Sequence, residues 1–243
     1  MTTLVYMILI LGVVVFIHEF GHFLFAKNAG IYVYEFSLGM GPVVYSFHRR
    51  NDETVYSLRL FPIGGFVQMA GEEIEPDDKI PFDKTIQSTT WIQRFMTIIA
   101  GIMFNFILAF VVFFIVGRVN GASQNKPYIK FVQDGINSNV VFEGDRILAV
   151  NGKKVLFTDV LILDIHLNSD KPLNLRVRGV DGVERDVVLN PIEVDENGEK
   201  GYKYGIALAD DVKTGVIASI KYSVVKFTSL IVQMSLIIVN LYL

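Results

Sequence analysis

Three long apolar segments alternate with two polar stretches along this chain. The apolar residues concentrate at positions 4–26, 92–116 and 215–243. Because a helix needs about 20 apolar residues to cross a bilayer, the first two segments predict transmembrane helices. The third segment is interrupted by Lys221 and Lys226. It fits either an interfacial amphipathic helix over residues 217–233 or a third span over residues 222–243.

The first polar stretch predicts a β-hairpin next to the membrane. Residues 55–61 have β-forming side chains at alternate positions, residues 62–65 (Pro-Ile-Gly-Gly) predict a turn, and residues 66–69 predict a returning strand. The acidic residues 72–84 contain two prolines and predict a mobile polar loop.

The second polar stretch, residues 120–211, predicts a small β-rich module around one helix. Strands are expected at 128–133, Arg146–Val150, Leu173–Arg178 and Glu184–Leu189. Asp181-Gly182 between the last two strands is a strong hairpin signal. A helix is expected over Thr158–Leu167, with Thr158 as its N-cap.

Composition supports a membrane protein and restricts its chemistry. The chain is 51% hydrophobic, with a mean hydropathy of +0.43, which is more apolar than an ordinary soluble domain. The net charge of −3 gives no indication of nucleic-acid binding. The chain has no cysteine, so disulfides are excluded and a metal site must use histidines and carboxylates.

The motif that indicates chemistry lies within the first apolar segment and reads His18-Glu19-Phe20-Gly21-His22. Residues four apart share a helix face, so both imidazoles can reach one zinc ion. Zinc lowers the pKa of a bound water, which attacks the peptide bond, and Glu19 can act as the general base. A chance match in a soluble helix is the alternative. Against it, ionisable groups inside a membrane helix are costly, so their presence there indicates a functional site.

A catalytic zinc needs a third protein ligand, and the residues do not supply an evident one. His48 precedes two arginines and is interpreted as a solvated loop residue. His166 lies near the end of the module's helix and is interpreted as structural. The second apolar segment contains no Asp or Glu.

Five motifs in this order resemble the site-2 protease family of intramembrane zinc metalloproteases, in particular its bacterial regulator of sigma-E protease group with PDZ domains. They are Phe16-Ile17-His18-Glu19-Phe20-Gly21-His22-Phe23, Glu35-Phe36-Ser37-Leu38-Gly39-Met40-Gly41-Pro42, Leu60-Phe61-Pro62-Ile63-Gly64-Gly65-Phe66-Val67-Gln68-Met69-Ala70-Gly71-Glu72, Ala100-Gly101-Ile102-Met103-Phe104-Asn105-Phe106, and Glu143-Gly144-Asp145-Arg146-Ile147-Leu148-Ala149-Val150-Asn151-Gly152.

The resemblance implies an α-helical multi-pass membrane protein with a membrane-associated β-hairpin and an inserted small α+β PDZ-like domain. The corresponding divisions are 1–27 (first helix), 28–91 (hairpin and loop), 92–117 (second helix), 118–212 (PDZ-like domain) and 213–243 (juxtamembrane helix or third span). It also implies location in the bacterial inner membrane, with the PDZ-like domain extracytoplasmic.

The implied activity is regulated intramembrane proteolysis with zinc as the cofactor. The implied partners are single-pass membrane proteins, such as anti-sigma factors and signal-peptide remnants, the lipid bilayer, and peptides at the PDZ-like domain. His18 and His22 would bind zinc, and Glu19 and Asn105 would be catalytic. The hairpin residues Gly64, Gly65, Phe66 and Val67 would hold an unwound substrate by strand addition, although the glycines equally suit a plain turn.

The chain departs from the family pattern in ways that leave an alternative open. The family's third zinc ligand is an Asp in a Leu-Asp-Gly motif on a later helix, and this chain has no such motif. We therefore expect the sequence to be part of a longer protein whose third ligand lies beyond Leu243. Gly101-Ile102 replaces a frequent Gly-Pro. The alternatives are a catalytically incomplete membrane PDZ adaptor and a membrane-anchored metalloprotease with a soluble active site.

Overall fold

A computed structural model describes residues 2–72, 80–196 and 199–242. The elements are, in order, α1 (Thr2–Asn28), β1 (Val33–His48), β2 (Val55–Met69), two 3-10 turns (Phe82–Lys84 and Ile86–Ser88), α2 (Trp91–Val119), β3 (Ala122–Val132), β4 (Arg146–Val150), β5 (Lys153–Lys154), α3 (Thr158–Leu167), β6 (Leu173–Arg178), β7 (Glu184–Leu189), β8 (Ile192–Glu196), β9 (Glu199–Lys203), β10 (Ile206–Lys213) and α4 (Val216–Tyr242). The chain forms two compact units, Met1–Ala109 and Phe110–Leu243.

Three helices are long and apolar enough to cross a membrane, and their ends carry recognisable stop and start signals. The candidate spans within the described residues are Thr2–Asn28, Trp91–Val119 and Val216–Val239. The first ends at Asn28 and is followed by Gly30, which has a φ of +79°. Bonds from the Ile31 N–H to the Ala26 carbonyl and from the Gly30 N–H to the Lys27 carbonyl close a Schellman motif there.

The start of α2 is set by a capping box. The Thr90 hydroxyl oxygen accepts from the Gln93 N–H at 3.4 Å, and the Gln93 amide oxygen accepts from the Thr90 N–H at 3.1 Å. These reciprocal bonds satisfy two backbone donors that the first helical turn leaves without partners. The sequence signature Thr90-x-x-Gln93 therefore fixes where the second helix begins.

Strands β1 and β2 bend so that residues 35–38 have a partner on each side. Glu35 pairs with Gln68 and Val55, Phe36 with Val67 and Tyr56, Ser37 with Phe66 and Ser57, and Leu38 with Gly65 and Leu58. The outer arm, residues 43–48, pairs with 55–59 across the turn at Asn51. The predicted pairing of 55–61 with 66–69 is wrong, because both segments flank β1 instead of each other.

Glycines with positive φ mark the bends, and one arginine ties the bent sheet together. Gly39, Gly41 and Gly64 have φ values of +85° to +89°, which glycine adopts without steric cost. The Arg59 guanidinium donates to Glu35 and Ser37, both at 2.8 Å, and to the Gly41 carbonyl at 2.9 Å. It also lies 4.9 Å from the centre of the Phe66 ring.

A polar cluster joins the end of α1 to the turn between β1 and β2. The Lys27 ammonium donates to Asp52 and Glu53, each at 2.7 Å. The Tyr56 hydroxyl donates to the other Asp52 oxygen at 2.8 Å. Burial alone would raise the pKa of Asp52, but bonds from Lys27, Tyr56 and the Thr54 N–H outweigh it and hold this pKa well below its usual range.

The predicted mobile loop at 72–84 is only partly described. Residues 73–79 lie outside the described residues. Residues 80–88 that follow contain the two 3-10 turns, and the Ile86 N–H donates to the Ala70 carbonyl at 2.9 Å. This part of the stretch is therefore tied back to the end of β2.

The second unit is built on an antiparallel sheet with the strand order β10-β3-β4-β6-β7, and β5 pairs with β4. Strands β4, β6 and β7 have the predicted bounds, and the Asp181-Gly182 hairpin is confirmed by a φ of +83° at Gly182. Strand β3 is longer than predicted. A separate hairpin, β8–β9, had no sequence prediction. The core buries ten apolar side chains: Ile129, Val141, Ile147, Val150, Leu161, Leu173, Leu175, Val177, Leu189 and Tyr204.

The loop before β4 is held by a buried carboxylate. The Asp145 side chain is 2% exposed, accepts from the Phe142 N–H at 2.9 Å, and forms an ion pair with Arg185 on β7. Gly144 has a φ of +89°, which favours glycine. The Glu-Gly-Asp motif is thus explained by loop geometry.

Helix α3 has the predicted bounds, but Thr158 is not its N-cap. Phe157 occupies the cap position and makes no side-chain bond. The Thr158 hydroxyl instead donates to Asp210 on β10 at 2.7 Å, and its N–H donates to the Asn125 side chain at 3.1 Å. The Asn125 side chain on β3 therefore bonds the first N–H of the helix in place of a local cap. Sequence spacing does not reveal a partner so distant in the chain.

Helix α4 is continuous and packs along α3. The Lys226 ammonium contacts Asp159 at 2.6 Å, and the Ser229 hydroxyl contacts the same carboxylate oxygen at 3.2 Å. Val232 and Leu236 line a cavity with Leu156 and Val160. One unbroken helix therefore covers both segments between which the sequence left the choice open.

Candidate metal centre

The two histidines of the His-Glu-x-x-His motif converge on one point. They lie four residues apart in α1, and their Nε2 atoms are 3.2 Å apart. The ring centres are 4.8 Å apart and the rings meet edge to face at 75°. The motif therefore presents two imidazole nitrogens to a common position, as its helical spacing predicts.

One face of α2 contacts the Nδ1 atoms of both histidine rings. His22 Nδ1 lies 2.7 Å from the Thr97 carbonyl oxygen. His18 Nδ1 lies 3.3 Å from the Asn105 side-chain nitrogen. Thr97, Gly101 and Asn105 are spaced four apart and therefore share this face. The Nδ1 atoms are engaged, which leaves the Nε2 atoms for the common position.

Glycines allow the two helices to approach closely at the site. A Cβ atom on Gly21 would lie 2.6 Å from the Ala100 carbonyl oxygen. A Cβ atom on Gly101 would lie 2.4 Å from His22 Nε2 and 2.6 Å from His18 Nε2. Any side chain at Gly101 would therefore occupy the space at the histidine nitrogens, a constraint that explains glycine at this position.

Glu19 lies on the sheet side of the motif. Its carboxylate is hydrogen-bonded by the backbone of Val67, and a Cβ atom on Gly65 would lie 3.4 Å from Glu19 Cγ. Glu19 and His22 line a cavity of about 440 Å³ whose other walls come from β2, the following turns and α2: Phe66, Val67, Met69, Glu72, Ile86 and Ile98.

The β2 segment beside Glu19 is an edge of its sheet. Among the described residues, Gly65, Phe66 and Val67 pair with a strand on one side only, with residues 36–38 of β1. The other side of such an edge can meet further groups, and here the Val67 backbone bonds the Glu19 carboxylate while the Met69 N–H donates to Glu72 at 3.4 Å. Glu19 therefore adjoins a cavity and a strand edge at once.

The donor atoms fit a zinc ion. Zn–N bonds are about 2.0–2.1 Å long, and tetrahedral angles then place two ligand nitrogens about 3.3 Å apart. The 3.2 Å between His18 Nε2 and His22 Nε2 matches this distance between two zinc ligands. Within residues 2–72, 80–196 and 199–242, no group of three His, Cys, Asp or Glu side chains gathers as a metal site. A third ligand is not identified among the described residues.

The structure brings most of the predicted site residues together. His18, Glu19, His22 and Asn105 lie at the site, and Gly65, Phe66 and Val67 lie on the sheet edge or cavity wall beside it. Gly64 sits at the bend of β2, against Met40.

The remaining histidines are not at the site. His48 ends β1 and pairs with Val55, so its interpretation as a loop residue is wrong. His166 Nδ1 contacts the Ile162 carbonyl within α3 at 2.7 Å.

Sequence reasoning missed Thr97 and Glu72 as site residues. Thr97 acts through its backbone carbonyl, which leaves no side-chain signal in a sequence. Its i−4 spacing from Gly101 was the available signal. Glu72 lines the cavity with Glu19, and its place at the end of the hairpin motif was the available indication.

Comparison with known proteins identifies the family. The model of "Peptidase family M50" matches residues 6–243. The chain belongs to this family. It is 33% identical over 231 residues to "Putative zinc metalloprotease CPE1693" of Clostridium perfringens, covering 95% of this chain and 66% of that protein. It is 27% identical over 300 residues to "Regulator of sigma-W protease RasP" of Bacillus subtilis, covering 90% of this chain and 70% of that protein.

This M50 chain spans only part of its relatives' length. It covers 55% of "Putative zinc metalloprotease FN1322" of Fusobacterium nucleatum, at 33% identity over 194 residues. A PDZ domain of an SdrC-like protein from Listeria monocytogenes is similar to 35% of the chain at 19% identity, with a TM-score of 0.30.

Proposed function

We propose that this M50 chain carries the catalytic helix of a zinc metalloprotease that cleaves membrane proteins within the bilayer. The observation that carries the proposal is the pair of Nε2 atoms 3.2 Å apart in a helix apolar and long enough to span a membrane. Zinc-metalloprotease names on the relatives support the same activity. Family membership and three candidate spans support a membrane location.

The proposed chemistry assigns each residue of the motif a role. A bound zinc ion would supply a water of lowered pKa and polarise the scissile carbonyl. Glu19 takes the proton from the attacking water and passes it to the leaving amine. The Val67 backbone, hydrogen-bonded to the Glu19 carboxylate, holds that carboxylate toward the sheet. His18 and His22 hold the metal, with their Nδ1 atoms turned to α2.

The edge formed by Gly65, Phe66 and Val67 is the proposed substrate-binding strand. A peptide bond within a transmembrane helix is enclosed by helical hydrogen bonds and must be unwound before hydrolysis. An unwound segment can pair with Gly65, Phe66 and Val67 by strand addition, which satisfies its freed backbone groups. Because Val67 contacts Glu19, a strand added here lies next to the general base.

The substrates we propose are single-pass membrane proteins, such as anti-sigma factors and signal-peptide remnants. "Regulator of sigma-W protease RasP" of Bacillus subtilis is a relative with a regulatory name, which favours this class. We place the protein in the bacterial inner membrane with the sheet of the second unit extracytoplasmic.

We further propose that the module at 118–212 is PDZ-like and binds extended peptides. Strand β10 lies at the end of its sheet, and a cavity of about 420 Å³ lies between β10 and α3. Its lining includes Ile162 and Ile165 from α3 and Ile206 and Leu208 from β10. An edge strand beside an apolar groove suits strand addition with side-chain pockets.

The proposed function is tested by zinc content and cleavage in the same preparations. The full-length protein, purified in detergent, is expected to hold one zinc per chain, and His22→Ala in that protein is expected to lose it. Glu19→Gln is expected to keep zinc while cleavage of a reconstituted single-pass substrate falls about 10²- to 10⁴-fold. Asp83→Asn, an exposed carboxylate in the same unit, is the control and should match the parent chain.

Three outcomes separate the alternatives. Cleavage that survives in Glu19→Gln contradicts the proposed general base. Zinc without cleavage in the parent chain contradicts protease activity of this chain. Absence of both zinc and cleavage, with peptide binding by the second unit, favours the membrane PDZ adaptor.

A further inference from the structure

The cavity beside Glu19 has walls that suit one large apolar side chain. Its volume is about 440 Å³, which falls within the range of about 300–1,000 Å³ that is common for ligand pockets. Apolar residues form most of its lining, namely Phe66, Val67, Met69, Ile86 and Ile98. An apolar group that enters this cavity would leave water and gain contacts on several sides.

Ile86, which lies in the second 3-10 turn, forms a wall that is fixed from behind. Its N–H donates to the Ala70 carbonyl at 2.9 Å, and the Arg94 side chain donates to the Gln87 carbonyl in the same turn at 2.6 Å. Ile86 also packs against the apolar cluster that contains the buried Met69. The pocket is therefore formed before a substrate arrives, and closely packed walls discriminate by side-chain volume.

The pocket adjoins both the proposed catalytic residues and the proposed substrate-binding strand. Glu19 and His22 line it, and so do Phe66 and Val67 of the edge strand. Alternate residues of a strand point to the same face, so a substrate strand paired here directs every second side chain toward the pocket. The side chain that reaches Glu19 and His22 lies next to the bond to be cleaved, because these residues act on that bond.

We propose that this pocket is the subsite for the substrate side chain next to the cleaved bond, and that Ile86 and Met69 set the size that it accepts. It takes a side chain of the size of leucine or phenylalanine. Alanine underfills the space, because the missing atoms leave the walls without contacts. This inference rests on the proposed protease function and adds a rule of side-chain size to it.

The size rule is tested by cleavage kinetics of the full-length protein in detergent. The probe is a designed single-pass protein with a leucine-alanine transmembrane segment and a central Gly-Gly pair, which weakens the helix. Mass spectrometry identifies the cleaved bond, and each residue that flanks it is then set to alanine, leucine or phenylalanine. At one of these two positions, leucine should exceed alanine in kcat/KM by about 10- to 200-fold. The other position should respond little.

Variants of Ile86 should change this preference in opposite directions. Ile86→Phe fills the pocket and should reduce the leucine-to-alanine ratio to near one. Ile86→Ala enlarges the pocket and should raise the phenylalanine-to-leucine ratio about 10-fold. Ile92→Ala, at an exposed isoleucine near the start of α2, is the matched control and should keep the ratios of the parent chain. Because a ratio between substrates cancels a general loss of activity, it separates a subsite role from a structural one.

Occupancy of the pocket is tested separately from cleavage, by disulfide trapping. Residues 1–243 contain no cysteine, and any cysteine beyond them is replaced by serine. Ile86→Cys is combined with Glu19→Gln to prevent hydrolysis, and single cysteines are scanned along the central segment of the probe. Because a disulfide needs Cα atoms within about 7 Å of each other, trapping should peak at the one position that shows the size rule. Ile92→Cys should trap none of these positions.

The two readouts separate this inference from the proposed function. Trapping by Ile86→Cys that is absent, or even along the segment, overturns the subsite. A probe that is trapped at one position but never cleaved by the parent chain supports the pocket and counts against the proposed protease activity. Cleavage with a size preference that neither Ile86 variant alters supports the protease activity and overturns the pocket.

Discussion

The backbone carbonyl of Thr97 lies 2.7 Å from His22 Nδ1, so a main-chain atom of α2 sets the orientation of the His22 ring on α1. A carbonyl cannot be removed by substituting its own side chain. The orientation of His22 therefore depends on how closely α2 approaches α1, and that approach depends on the glycines between them.

Gly101→Ala tests this close approach. The added Cβ would lie 2.4 Å from His22 Nε2 and 2.6 Å from His18 Nε2, closer than any normal contact. We expect zinc content, measured by atomic absorption, to fall from about one per chain to near zero, because a methyl group occupies the space at the donor atoms. Ile102→Ala is the matched control. Full zinc in Gly101→Ala would contradict the described packing.

Asp52 should make the first unit sensitive to acid. Its pKa is held below the unfolded value of about 3.9 by Lys27, Tyr56 and Thr54 against the opposing effect of burial. A lowered carboxylate pKa stabilises the fold above the unfolded pKa, and this stabilisation is lost as pH falls through the folded pKa. Thermal melts should therefore show the parent chain losing stability below about pH 4.

The matched variant for that experiment is Asp52→Asn. It should cost about 1.5–3 kcal/mol at pH 7, because hydrogen bonds to a charged group are lost, and its melting temperature should fall less between pH 7 and pH 3. An identical acid dependence in the parent chain and the variant would show that other carboxylates dominate.

Asp145 should be a main stabilising polar residue of the second unit. Removing one member of a buried ion pair costs about 3–5 kcal/mol, since the other charge is left without its partner. The Arg185 side chain is 30% exposed, so water can partly solvate it and we expect the low end, about 3 kcal/mol, for Asp145→Ala. Urea unfolding followed by circular dichroism measures it.

Asp186→Ala provides the control for that experiment. Its side chain is 71% exposed and pairs with Arg176 at 2.8 Å. Exposed ion pairs contribute about 0–1 kcal/mol, so this variant should unfold close to the parent chain. Equal losses in the two variants would argue against a special role for the buried carboxylate.

The contact between Lys226 and Asp159 should couple α4 to α3. The pair is 2.6 Å long with side chains 26% and 33% exposed. A double-mutant cycle of Lys226→Met and Asp159→Asn should give a coupling energy of about 0.5–1 kcal/mol in thermal unfolding. A coupling near zero would mean that α4 is held by its apolar contacts alone.

Periodic patterns and turn signals predicted much of this fold. The apolar segments became α1, α2 and α4, and the alternating segments became β4, β6 and β7, because these depend on local spacing. Thr158 failed as an N-cap because it is already the first residue of α3, with Phe157 at the cap position, and its hydroxyl donates to Asp210, which is distant in sequence. The pairing of β2 failed for the same reason: which strand lies between two others is decided by tertiary contacts.

The residues of the site also divide into those that the sequence predicts and those that only the structure shows. His18, Glu19 and His22 were evident because a helix brings residues four apart to one face. Asn105 came from the family resemblance, and only the structure shows its contact with His18 Nδ1. Thr97 was not predictable from residue type, because it contributes a carbonyl that every residue possesses.

The doubly paired segment at residues 35–38 fixes the register of the strand that lies beside Glu19. Its two ladders share one backbone, so sliding one by a residue would break the other and exchange the two faces of the sheet. The protein therefore cannot tune the width of its cavity by shifting strand register. Variation in what the cavity accepts must come from side chains, at Phe66, Met69 and Ile86 above all, on a frame whose spacing stays constant.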